Sequence, residues 1–79
     1  MTKQHELAEL RSLFGRSAVD EAIASCDEAK IWGLQHAFLV AQASTKLQIL
    51  LHKPLDAVAY AQSLEPQLRA ALIVAILDI

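Results

Sequence analysis

The residues best equipped for chemistry are His5, His36 and His52, Cys26, and the acidic pairs Asp20/Glu21 and Asp27/Glu28. The histidines fall in three different segments, with no second histidine or cysteine one helical turn away to complete a ligand pair. Cys26 follows Val19, Ala22 and Ile23 at helical spacing, so it reads as a small buried hydrophobe and not as a nucleophile. Each acidic pair follows a serine in an S-x-x-[DE] pattern (Ser17 to Asp20, Ser25 to Glu28), where hydroxyl and carboxylate occupy the orphan amides of a helix start. The sequence contains no glycine-rich phosphate loop, nucleophile elbow or H-E-x-x-H pair. An enzyme would need a pocket assembled from His36, His52 and Tyr60. The reading is therefore a non-enzyme, with no catalytic residue, metal or cofactor.

The bulk properties point the same way. Seventy-nine residues make a single domain, 1–79, and a chain of this size buries only about 60% of the surface it exposes when unfolded. Yet 54% of its residues are apolar, so part of that excess is expected to face a partner. The net charge is −2 and the seven basic residues are scattered, which provides no concentrated positive field for nucleic acid. A lone cysteine allows no intrachain disulfide and suits a reducing compartment, with the cytoplasm the expected location. The first residues are polar and carry no secretory signal core. Residues 31–52 hold one charge, Lys46, but Gln35, His36, Gln42, Ser44, Thr45 and Gln48 make them a buried helix, not a membrane span.

These residues must be positioned by helices, because Ala, Leu, Gln and Glu dominate between two glycines and two prolines. The first helix is expected over about 3–14, with Leu7, Leu10 and Phe14 on one face and Gly15 as a left-handed C-terminal cap. A second starts at Ser17, and a break falls somewhere in 25–31. The third and longest is expected over about 31–51, striped by Leu34, Phe38, Ala41, Leu47 and Leu51. Trp32 and Phe38 read as core anchors, whereas Tyr60 suits either a core edge or a peptide groove. Pro54 stops the third helix and opens a fourth, about 55–64. Pro66 restarts the chain into a last helix, and the fold class is all-α, about five helices in antiparallel hairpins.

In that last helix the run Ala70-Ala-Leu-Ile-Val-Ala-Ile-Leu77 has no polar face. A helix apolar all round must be buried all round, and a terminal element with one neighbouring hairpin is expected to leave part of itself uncovered. Each Leu or Ile left in water forfeits about 1.5–3 kcal/mol of burial. The run therefore reads as half core and half docking surface.

Lys53-Pro-Leu-Asp-Ala-Val-Ala-Tyr-Ala-Gln-Ser-Leu-Glu-Pro66 resembles the second helix of a tetratricopeptide repeat, with Ala57-Val58 and Leu64-Glu65-Pro66 at matching places. Asp20-Glu21-Ala22-Ile23 is a fainter copy. With the core Leu50-Leu51-His52-Lys53-Pro54-Leu55-Asp56-Ala57 and the apolar tail, residues 30–79 resemble the small tetratricopeptide-like chaperones of bacterial type III secretion systems. The resemblance implies a TPR-like arrangement and a cytoplasmic chaperone. Such a protein holds a needle subunit, usually beside a small helical co-chaperone, and prevents premature polymerisation. Periodicity supplies Phe38, Leu47, Tyr60, Leu72 and Ile76 as candidate protein-binding residues. The alternative is a helical scaffold that pairs with its own copy.

Overall fold

Helix-forming composition prevails along the whole chain. The computed structural model describes residues 2–79, with side chains from Glu6 onward, and is all-α. Its described residues form six helices: α1 (Thr2–Phe14), α2 (Arg16–Ala24), α3 (Cys26–Gln35), α4 (Ala37–Leu50), α5 (Pro54–Ser63) and α6 (Pro66–Leu77). The prolines act as the sequence suggests, each opening a helix at its first turn, where the missing amide proton costs nothing.

Single residues make the corners between the early helices. Gly15 has φ 95° and ψ 148°, a region essentially reserved for glycine, and differs in ψ from the left-handed cap expected there. Its amide donates to the Arg11 carbonyl at 3.1 Å, and its own carbonyl accepts from the Val19 amide at 3.2 Å. One residue thus ends α1 and begins α2. Ser17 consequently lies inside α2 instead of capping it, and Asp20 and Glu21 fall beyond the first turn. Asp20 turns to Arg11 across the corner, with Nη2 to Oδ1 at 3.1 Å.

Ser25 separates α2 from α3, within the expected interval. Its hydroxyl does not cap α3; Oγ donates to the Glu21 carbonyl at 2.8 Å, beside the backbone bond from Ser25 N–H to the same oxygen at 3.0 Å. Asp27 and Glu28 do occupy the first turn of α3, where the helix dipole favours carboxylates.

The expected single helix over 31–51 is divided at His36, which is why six helices replace about five. His36 has φ −121° and ψ 39°, outside the helical basin. Its amide and its ring Nδ1 both lie 3.0 Å from the Trp32 carbonyl. A side chain that competes for the i−4 carbonyl bends a helix, and periodicity cannot report such a bond.

The apolar tail is the centre of the molecule. Helix α6 packs most heavily on α3 and α2, and also on α4 and α1. Ala71, Leu72, Ile73, Val74 and Leu77 are buried, leaving Ala75 and Ile76 as the exposed residues of the run's second half. The expectation of half exposure assumed one neighbouring hairpin; four flanking helices cover the run instead. Of the helices around α6, α1 turns in Leu10 and Phe14, α2 Val19 and Ala22, α3 Ala29, and α4 Ala43 and Leu47, while Ala57 and Ala61 of α5 are buried on the side of α1 and α4. Gly33 of α3 lets α6 approach closely, since a Cβ there would stand 3.4 Å from the Ala71 Cβ. Among the described residues, no helix is long and apolar enough to cross a membrane.

Candidate protein-binding surface

Several large apolar residues stand outside the core. Helix α4 turns Ala43 and Leu47 inward, while Phe38 and Ile49 remain 73% and 67% exposed. On α3 the buried residue is Ala29, and Leu34 is 81% exposed with Ile31 also in solvent. On α5, Ala57 and Ala61 are buried and Leu55 is exposed. A surface helix of a globular domain typically turns its large apolar residues toward the core.

Two depressions run along α4 and share Ala41. The outer one, about 650 Å³, lies between α4 and α5 and is lined by Phe38, Gln42, Thr45, Lys46, Ile49 and Tyr60. Lys46 Nζ stands 4.9 Å from the Tyr60 ring centroid, a cation–π distance that fixes the ammonium at the trough wall. The inner depression, also about 650 Å³, lies between α3, α4 and α6. Gly33, Ala37, Ala41 and Ala75 contribute small side chains to it, Leu34, Ile76 and Ile79 large ones, and Lys30 and Asp78 its charges.

Four of the five sequence-derived binding residues line these depressions, Leu72 only as a buried residue of the inner one. Phe38 and the half-buried Tyr60 line the outer trough together, and Ile76 lines the inner one with Leu34. Leu47 and Leu72 do not serve as exposed binding residues: they are 4% and 1% exposed members of the hydrophobic core. Phe38 is not the core anchor its spacing suggested. Trp32 is half-buried and stacks on His36.

Sequence reasoning missed Leu34, Ile31 and Ile49 as surface residues because they fall on apolar stripes that look like core. On α3 the signal was Ala29 at the inward position, which leaves Ile31 and Leu34 elsewhere; on α4 it was apolar residues on more faces than one set of neighbours covers.

Among the described residues, no group of three His, Cys, Asp or Glu side chains could hold a metal ion. His5 lies outside the described side chains. His52 is exposed beyond the end of α4, and His36 sits at the α3–α4 corner with its ring on Trp32. Neither depression includes His36 or His52, the histidines that an enzyme pocket with Tyr60 would need. Cys26 is half-buried, with Sγ 3.9 Å from Asp27 Oδ1. No family model matches the chain, and no curated protein or solved structure matches it.

Proposed function

We propose that this protein is a helical adaptor or chaperone that binds an amphipathic helix of another polypeptide along α4. The observation that carries the reading is that α4 is apolar on two sides, with Ala43 and Leu47 buried while Phe38 and Ile49 stand in solvent. Each large apolar residue left there forgoes about 1.5–3 kcal/mol, which a docked apolar stripe would recover. A helix seated in an apolar groove is a recurring mode of peptide recognition, anchored at i, i+3, i+4 and i+7.

The resemblance of residues 30–79 to tetratricopeptide-like secretion chaperones supplies the finer proposal. On that reading the protein is cytoplasmic, its helical hairpins are TPR-like, and it keeps a type III secretion needle subunit from polymerising, with a small helical co-chaperone as second partner. Virulence would then depend on it through export of the needle.

Co-expression with a needle subunit and co-chaperone, followed by affinity capture and sedimentation, tests this. A soluble stoichiometric complex is expected. A monodisperse monomer with affinity for neither would sink the secretion reading, and a tight dimer of the isolated chain would favour the self-associating scaffold.

A further inference from the structure

Along the chain the charges on and beside α4 are of one sign, although Asp78 of the C-terminus reaches the inner depression. From Ala29 to Leu55 the chain carries Lys30, Lys46 and Lys53 and no carboxylate, while all nine acidic residues lie elsewhere. Asp27 and Glu28 close this interval on the α3 side, and Asp56 on the α5 side. Helix α4 itself bears Lys46 alone, at the wall of the outer trough over Tyr60. Lys53 is exposed at the start of α5, in the corner that follows α4. The remaining polar groups of the trough, Gln42 and Thr45, are neutral.

From this, and resting on the docking reading above, we infer that the outer trough selects an acidic amphipathic helix, with its apolar stripe on Phe38 and Ile49 and its flanking carboxylates toward Lys46 and Lys53. Complementary charge at the rim steers encounter and excludes wrong partners more than it adds affinity. A second copy docked two-fold through the same trough would bring the same Lys46 with the neutral Gln42 and Thr45, and no carboxylate of α4 to pair the added ammonium. A concave trough between two helices also suits a cylinder better than a flat lipid surface. Nothing else along α4 would reject a basic helix with an equally apolar stripe.

The test uses the full chain and two synthetic helices of about 20 residues. They share one Leu/Ile stripe and differ only in Glu or Lys beside it; binding is read by fluorescence anisotropy at low and high salt. The acidic helix should bind at least about tenfold more tightly at low salt, with the gap closing near 1 M salt, where the screening length is about 3 Å. Lys46→Glu combined with Lys53→Glu, both on exposed side chains, should reverse the preference.

Equal binding of both helices would overturn the charge inference and leave the apolar docking reading standing. Binding of neither would overturn both. Self-association that excludes the acidic helix, or capture by phosphatidylserine vesicles with no preference between peptides, would also overturn the inference.

Discussion

The imidazole of His36 lies flat against the indole of Trp32, with ring centroids 4.1 Å apart and planes inclined by 15°, while its Nδ1 is 3.0 Å from the Trp32 carbonyl. A carbonyl can only accept, so Nδ1 carries the proton. Ring and backbone together hold the corner at which α3 becomes α4, and so set the angle of the surface on which Leu34 and Phe38 are displayed.

His36→Ala removes both contacts. A side-chain hydrogen bond is worth about 0.5–1.5 kcal/mol and an aromatic stack a similar amount, so a loss of about 1–2 kcal/mol in urea denaturation is expected. Trp32 is the sole tryptophan, and its emission should shift as the imidazole leaves. An unchanged midpoint with unchanged emission would show that the backbone alone makes the corner.

The two glycines should respond to alanine with opposite signs. A Cβ added at Gly15 would meet nothing within 4 Å, yet the φ of 95° there is hostile to any L side chain, and holding such a residue in that region costs about 1–3 kcal/mol. Gly33 is helical, and its added Cβ would meet Ala71 at 3.4 Å, an ordinary contact. Glycine in a helix interior is about 0.5–1 kcal/mol worse than alanine, so Gly33→Ala should raise the thermal midpoint and Gly15→Ala lower it. Shifts of the same sign would contradict this account.

The fate of α6 separates core from surface within one helix. Leu72 is fully enclosed, and Leu72→Ala should cost about 2–5 kcal/mol through the transfer and cavity terms, enough to unfold much of so small a domain. Leu72→Asp should not fold at all. Ile76 is 37% exposed, so Ile76→Asp should keep its helical circular dichroism. Comparable unfolding by the two aspartates would place Ile76 in the core as well.

Much of this fold can be read from residue order. Pro54 and Pro66 mark their helix starts, and the all-α class follows from the Ala, Leu, Gln and Glu content. What periodicity could not supply was how many neighbours each helix has. The Ala70–Leu77 run is equally consistent with a docking surface and with a central helix, and only the packing of α6 against α1 to α4 decides. The candidate surface moved for a plainer reason: Phe38 and Leu47 both lie in α4, about two and a half turns apart, so one stripe cannot hold them, and one faces outside and the other inside. Ser17 misled for a related reason, because Gly15 already supplies the first carbonyl of α2.

The exposed apolar residues of α4 should be separable from stability. Phe38 and Ile49 are largely exposed in the isolated chain, so Phe38→Gln with Ile49→Gln should change the unfolding free energy measured in urea by no more than about 1 kcal/mol, the usual range for two surface substitutions. Gln also has strong helix propensity, which keeps α4 intact. Solubility should rise, since the variant removes the exposed apolar patch that drives non-specific association. Binding to a partner helix should fall steeply, because well-packed aromatic and aliphatic anchors carry a disproportionate share of interface energy. Titration calorimetry of the double variant beside the parent chain measures this directly. A variant that lost stability instead of binding would mean that α4 presents Phe38 and Ile49 to its own core.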